Sequence, residues 1–485
     1  MHELYLILVG VYYVIVVLTV IHVVLDNRQP AKTMAWALVI WFVPVVGIVL
    51  YLFFGVNTRK ERLVSQRQLD ELSRRSMLRF VEQPNLEVPD DYKPFVDLFI
   101  NQHFSLPFRA DEVMTYTNGY EFFPALLTAI ASAHDHVHVD MYIFEEDALG
   151  NLVADALIAK ARQGVEVRVI YDDVGCWNVP RRFFERMREG GVEVVPFLPV
   201  RFPSFTSKVN YRNHRKLVVV DGCVGFIGGI NIAQRYVKGT KNQMWRDTMI
   251  RVTGTAVYAL QRTFLIDWFF VDRTLLSDRR FYPLTSHVSD CHYSLGISRG
   301  SLSPLLQAVT SGPDSPQPEI MQGFVRVISE ARRYLYIETP YFLPTEPVLF
   351  ALKMAAAAGV DVRILVPMRN DSWFVEWAGR SYLREAQQAG ITIKLYKAGF
   401  LHSKLMVADD SIVTCGSTNV DFRSFENNFE ANVFIYGRDV AMRFRQLFLD
   451  DEAQAVDLSL LPDRIHPRFF VRLWESLVRM LSPLM

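Results

Sequence analysis

The feature that most constrains this chain is a motif present twice with the same internal spacing. One copy reads His214-Arg215-Lys216, then Asp221, then Gly228-Gly229-Ile230-Asn231. The other reads His402-Ser403-Lys404, then Asp409, then Gly416-Ser417-Thr418-Asn419. In both, four residues separate Lys from Asp and six separate Asp from Gly. A single His-x-Lys on a strand carries little information, but two copies at matched spacing demand a common use. His and Lys at i and i+2 point to the same side of a strand. A small-residue turn ending in Asn can return its amide to that side.

The motif sits inside a longer duplication. Phe123 to Ala133 and Leu152 to Gln163 have helical periodicity, and His136 to Phe144 and Val165 to Tyr171 read as strands. The second half repeats this order with Phe324 to Arg333, Tyr334 to Phe342, Leu349 to Ala358 and Val360 to Val366. Gly164-Val165-Glu166-Val167-Arg168 matches Gly359-Val360-Asp361-Val362-Arg363, and Tyr142-Ile143-Phe144 matches Tyr341-Phe342. Such a long offset implies a tandem duplication of α/β units, not a short-period solenoid. The segment Leu198 to Asn213, with Arg201, Phe202, Phe205, Lys208, Tyr211 and Arg212, has no counterpart of equal length.

If the halves meet, two imidazoles, two ammoniums and two amides surround one point. That set suits a phosphate. Cations and N–H donors match phosphoryl oxygens, one imidazole can attack phosphorus, and the other can protonate the leaving alkoxide. No carboxylate cluster of the Mg²⁺-binding kind is evident, so neither a metal nor another cofactor is required.

The N-terminal region is apolar. Leu4 to Leu25 holds no Asp, Glu, Lys or Arg, and at ~1.5 Å per residue it spans about 33 Å, close to the ~30 Å of a bilayer core. A second uncharged run follows from Thr33 to Asn57, with Pro44 and Gly47 inside it. The pair predicts a transmembrane hairpin. A cleaved signal peptide is disfavoured, because no basic n-region or small-x-small site is present. Arg59, Lys60, Arg62, Arg67, Arg74, Arg75 and Arg79 outweigh Arg28 and Lys32, which puts both termini and everything after the hairpin on the cytoplasmic side.

The 52 Lys+Arg balance the 52 Asp+Glu, which gives no support to a polyanion-wrapping protein and weighs against a nuclease. With 50% hydrophobic residues, disorder is excluded. Four dispersed cysteines fit a reducing compartment and no disulfide scaffold.

The doubled motif resembles the phospholipase D superfamily, and the whole chain resembles its bacterial cardiolipin synthases. The likeness includes Asp26-x-Arg28-x-Pro30, Thr33-x-Ala35-Trp36, Pro44-Val45-Val46-Gly47, Thr339-Pro340-Tyr341-Phe342, Asn370-Asp371-Ser372 and Ser482-Pro483-Leu484. It implies an α/β fold: a two-helix transmembrane hairpin (1–57), a basic juxtamembrane linker (58–108), two tandem phospholipase D-like domains (109–300 and 301–465) forming one pseudo-symmetric unit, and an amphipathic C-terminal helix (466–485). It also implies conversion of two phosphatidylglycerols into cardiolipin and glycerol through a phosphatidyl-histidine, in a bacterial inner membrane.

By this resemblance His214 is the nucleophile and His402 the acid/base, though the near-symmetry leaves the reverse open. Lys216, Lys404, Asn231 and Asn419 hold non-bridging oxygens. Ser417 adds a hydroxyl that Gly229 lacks. Asp221 and Asp409 belong to the catalytic motif, with an anchoring role at the turn after each strand. Asp247 and Glu430 are expected to orient the imidazoles. The partners implied are phosphatidylglycerol and cardiolipin in an anionic membrane, with no nucleic acid; a homodimer stays open. The alternative is a membrane-bound phospholipase D that uses water as acceptor. In the tail, Arg468, Arg472, Glu475 and Arg479 recur on one side, and Phe469, Phe470, Leu473, Trp474, Leu477 and Leu481 lie largely on the other. This pattern favours an anionic interface. Asn370 to Phe374 is a candidate stretch for the acyl path.

Overall fold

The computed structural model describes residues 2–25, 30–55, 86–103, 105–200, 210–240, 243–283, 303–315 and 317–484. Several sequence expectations lie outside these residues: the charges of the hairpin turn (Asp26, Arg28), the basic cluster Arg59 to Arg79, and Arg201 to Lys208.

Each half is built on one sheet, and seven strands follow the same order in both. In the first the order is Val113–Tyr116, Met249–Thr253, Val224–Gly228, Lys216–Val220, His136–Met141, Glu166–Asp172 and Glu193–Phe197. In the second it is Leu305–Ser311, Glu430–Tyr436, Ile412–Gly416, Leu405–Ala408, Tyr334–Glu338, Asp361–Pro367 and Thr392–Tyr396. The second sheet gains Phe108–Arg109 and Ala455–Asp457 at its edges. The motif strands lie at the centre and are fully buried along their length, as continuous apolar runs such as Leu217 to Val220 require. The turn chemistry is duplicated too. Gly164 and Gly359 adopt φ of +91° and +88° where a helix hands over to a parallel strand, a left-handed conformation that suits glycine.

Among the described residues, three hydrophobic cores hold the two halves. One lies under the outer helices of each half. The third draws on both sheets, combining Leu217, Val219 and Ile250 with Leu405, Val407 and Val433, and the helix Val257–Asp272 is packed into it. The halves are therefore welded by apolar burial, and the faces bearing the motifs are held in fixed relation.

Part of the segment assigned to a linker is folded. Helix Lys93–His103 puts Phe95, Val96 and Phe99 into the core of the second half, and Phe108–Arg109 pairs with Leu305–Leu306. The eleven residues of this helix carry five apolar side chains, too short a run to announce a core element. Cys176 and Cys415 are buried free thiols, whereas Cys223 is disulfide-bonded, a cross-link that the dispersed cysteines did not suggest.

At the N-terminus the helix His2–Leu25 packs on Pro30–Phe42 through a narrow seam that buries Val16, Val23, Ile40 and Tyr51. The second apolar run is not one helix. It breaks at Val43, continues as Pro44–Leu50 and ends in a π turn over Tyr51–Gly55. Among the described residues, no helix is long and apolar enough to cross a membrane. Lys32, near the start of the second helix, pairs with Glu426 of the second half at 2.7 Å.

The C-terminal helix Phe469–Arg479 is attached by its polar side. Glu475, 1% exposed, pairs with Arg384 at 2.6 Å, and Arg479 pairs with Glu385 at 2.6 Å while lying over the Tyr382 ring. The apolar side faces outward, with Phe469 and Phe470 at 72% and 80% exposure. Trp474 meets Trp373, at the start of helix Trp373–Gln388, with ring centroids 5.9 Å apart.

Candidate active site

Each motif histidine lies just before its central strand, in a segment that pairs with the other half. Asn213 bridges to Phe429, and the His214 N–H donates to the Phe429 carbonyl at 2.9 Å. In mirror fashion Phe400–Leu401 pairs with Trp245–Arg246, and the His402 N–H donates to the Arg246 carbonyl at 2.7 Å. Both rings consequently line one cavity of about 660 Å³.

The pairing decides which carboxylate meets which ring. Glu430 of the second half lies 3.0 Å from Nδ1 of His214, and Asp247 of the first half lies 2.6 Å from Nδ1 of His402. A carboxylate only accepts, so each Nδ1 carries the proton and each Nε2 is left with a free lone pair. The expectation that Asp247 and Glu430 orient the imidazoles thus matches their positions, with an exchange between halves that spacing could not reveal.

Burial is the main force lowering the proton affinity of both rings. His214 falls to about 4, with Lys216 and Lys404 adding to the effect and Glu430 opposing it. His402 falls to about 3, with Lys404 the next cause; its Nζ is 2.9 Å from Nδ1. Lys216 is itself pushed down to about 7 by burial. Glu430 and Asp247 sit below the usual carboxylate range although burial opposes it, because the imidazoles and lysines favour their charged forms. At neutral pH the site therefore holds two neutral imidazoles and two carboxylates.

The small residues before each Asn explain the asymmetry of the motifs. A Cβ on Gly229 would come within 2.1 Å of Asp247 Oδ1, so the shorter acid occupies the space that a hydroxyl would need. In the other half Ser417 is tolerated, and its Oγ donates to Glu430.

Asn231 and Asn419 line the cavity. The Asn231 amide is already engaged, accepting from the Ile143 N–H at 3.1 Å and donating to the Tyr236 hydroxyl at 2.7 Å. It braces the cavity wall in place of presenting two free donors.

Asp221 and Asp409 are corrected from the catalytic set. Asp221 accepts from the backbone N–H groups of His134, Asp135 and His136, and Asp409 accepts from those of Arg332, Arg333 and Tyr334. Their positive φ values, 52° and 55°, belong to the turn at the far end of each strand. Each clamps the entry to a neighbouring strand.

Four ring-bearing wall residues escaped the motif search: Tyr142, Tyr236, Trp245 and Tyr341. Tyr142 stands edge-on to His214 with centroids 4.8 Å apart, and Tyr341 donates to Asp371 at 2.9 Å. The repeat carried a usable signal here, since Tyr142 and Tyr341 align between the halves.

The chain matches the family described as "Cardiolipin synthase, PLD-like domain" over residues 126–268 and 324–451. Residues 14–55 match a "Phospholipase_D-nuclease N-terminal" family. It is 35% identical to the major cardiolipin synthase of Bacillus subtilis over 99% of both chains, and 38% identical to cardiolipin synthase 2 of Bacillus anthracis over 95% of this chain and 88% of that one. Its fold is similar to that of a phosphatidylserine synthase from Haemophilus influenzae, at a TM-score of 0.59 and 14% identity over 82% of this chain and 100% of that one. Matches of this extent, in both halves and along nearly the full length, show that the chain belongs to the cardiolipin synthase family of phospholipase D-like proteins.

Proposed function

We propose that this protein is a membrane-bound phosphatidyltransferase that condenses two phosphatidylglycerol molecules into cardiolipin and glycerol. The observation that carries the reading is the pair of imidazoles opening on one cavity, each backed by a carboxylate of the other half. Its curated relatives are named cardiolipin synthases, which supports the same product.

His214 Nε2 attacks the donor phosphorus. The bond to the glycerol oxygen breaks, and that oxygen takes a proton from His402. A phosphatidyl-histidine remains. The terminal hydroxyl of the second lipid gives its proton back to His402 and attacks phosphorus, and the P–N bond breaks. Lys216 and Lys404 hold the non-bridging oxygens throughout. A bound phosphodiester anion raises the low pKa of His402, which lets that ring begin the cycle protonated.

The membrane setting rests on three features. The charge-free run Leu4 to Leu25 is long enough to cross a bilayer. Its helix pair exposes apolar side chains such as Tyr5, Ile7, Trp41 and Phe42. The C-terminal helix turns an apolar face outward next to Trp373 and Phe374, whose helix begins beside the cavity residues Asp371 and Ser372. In the reading we favour, the hairpin crosses the membrane with both ends cytoplasmic. Lys32 then lies on the face opposite Glu426, and their ion pair is given up on insertion. A disulfide between Lys32→Cys and Glu426→Cys in membranes would reject that topology; absence of the cross-link, with Lys32→Cys labelled from outside the cell, supports it.

Reconstitution with phosphatidylglycerol alone tests the chemistry. The wild type yields cardiolipin and equimolar glycerol, and His214→Ala and His402→Ala yield essentially none. Acid quenching of the wild type with headgroup-phosphate-labelled lipid traps label on His214. Full activity in either single variant overturns the two-imidazole mechanism.

A further inference from the structure

Condensing two phosphatidylglycerols, as proposed above, brings two phosphates into one cavity, because the acceptor lipid keeps its own phosphodiester. After the first step the donor phosphate is on a motif histidine, flanked by Lys216 and Lys404. A three-carbon glycerol link holds the acceptor phosphate only about 6 Å away, and two unit anions at that separation in a partly desolvated site repel enough to weaken binding roughly a hundredfold. A hydrolase that uses water meets no such penalty. A synthase needs a further cation beyond the motif lysines.

Among the described residues, three arginines outside the motifs line the cavity: Arg212, Arg235 and Arg423. Arg212 is committed to the buried Asp172 at 3.5 Å, and Arg235 to Glu145 at 2.9 Å while lying over the Trp245 ring. Among the described residues, Arg423 has no carboxylate partner within ion-pair distance. It is half-buried, and its guanidinium donates to the Asn210 carbonyl at 3.1 Å, across the junction of the halves. The carboxylate nearest in sequence, Asp421, is turned to its own helix start and accepts from the Ser424 N–H at 2.7 Å. Arg423 and His214 line the same cavity. Both it and Arg212 act electrostatically on the hydroxyl of Tyr142, whose ring stands against His214.

We propose that Arg423, with Arg212 behind it, holds the phosphate of the acceptor lipid and thereby selects an anionic glycerophospholipid as the second substrate. A guanidinium suits this role because its planar fork meets two phosphate oxygens at once. The motif lysines would then serve the phosphate that reacts, and the arginine the phosphate that does not.

The test uses the full-length protein in phosphatidylglycerol vesicles with ethanol added. Cardiolipin and phosphatidylethanol are measured from the same reaction. The two products share donor, histidines and intermediate, and differ in the acceptor, which is an anionic lipid in one and a small neutral alcohol in the other. Arg423→Gln is expected to lower the ratio of cardiolipin to phosphatidylethanol at least tenfold through a higher KM for the acceptor lipid, and Arg423→Lys to restore part of it. An unchanged ratio overturns the proposal. So does equal loss of both products in Arg423→Gln and Arg423→Lys, which would assign the side chain to the donor site or to folding. A wild type that forms neither product sinks the transferase reading itself, and this inference with it.

Discussion

The carboxylate of Glu430 lies 3.0 Å from Nδ1 of His214, although the two residues belong to different halves of the chain and 216 positions separate them. Asp247 stands in the reciprocal relation to His402 at 2.6 Å. Neither half on its own holds an oriented imidazole, so the duplicated units form a single site and not two.

That reciprocity makes the carboxylates testable without disturbing the rings. Glu430→Gln and Asp247→Asn preserve shape but remove the charge that steadies an imidazolium and selects the tautomer. Each variant should lose at least about 100-fold in kcat with little change in KM, read from glycerol release. Unchanged kcat in both would make the carboxylates spectators.

The low proton affinities of the rings give a direction in pH. Between about 4 and 6.5 the unfolded chain protonates His214 while the folded chain does not, so stability present above pH 6.5 is lost as pH falls. His402 acts in the same sense, down to about 3. The thermal midpoint should drop below pH 6.5, and His214→Gln and His402→Gln should each flatten the drop. Lys404 is the largest charge depressing His402. Because His402 must start protonated, Lys404→Met should therefore move the alkaline limb of kcat/KM to higher pH, and a shift to lower pH would contradict the assignment.

Gly229→Ala probes the crowded first half. The added methyl would overlap Asp247, within 2.1 Å of Oδ1, and must push the carboxylate away from His402. Overpacking of this kind costs about 1–3 kcal/mol. Activity should fall alongside that of Asp247→Asn, whereas Ser417→Ala, which only removes a hydroxyl, should be milder. A fully active Gly229→Ala protein would mean that Asp247 has room to spare.

The outward face of the C-terminal helix should matter only at a lipid surface. Phe470 and Leu477 are 80% and 49% exposed and lie outside the hydrophobic cores. Phe470→Ser with Leu477→Ser should reduce turnover of vesicle phosphatidylglycerol several-fold and leave turnover of a short-chain monomeric analogue intact. Equal effects on both substrates would remove the membrane role of this face.

Much of the architecture was legible in the linear order of residues. Matched spacing from His214 to Asn231 and from His402 to Asn419 is a local pattern, and local patterns specify strands, turns and the faces of side chains. Apolar runs such as Leu217 to Val220 and Leu405 to Met406 marked the central strands for the same reason. The aligned tyrosines 142 and 341 could have been read as cavity walls. Tyr236 and Trp245 could not, because no periodicity points to them.

What the residue order could not supply was partnership across distance. The amphipathic tail defined two faces, but only the fit of Glu475 to Arg384 and Arg479 to Glu385, with Val478 entering the core of the second half, decided that the broad apolar one would face outward. Helix Lys93–His103 looked like part of a linker until the core of the second half offered Phe95, Val96 and Phe99 a place. The exchange of Glu430 and Asp247 between the histidines arises from two short backbone pairings, 212–214 with 428–430 and 400–402 with 244–247, that exist only once the halves have packed. Spacing along a chain sets which way a side chain points; the closing of a shared core between two sheets sets what it meets.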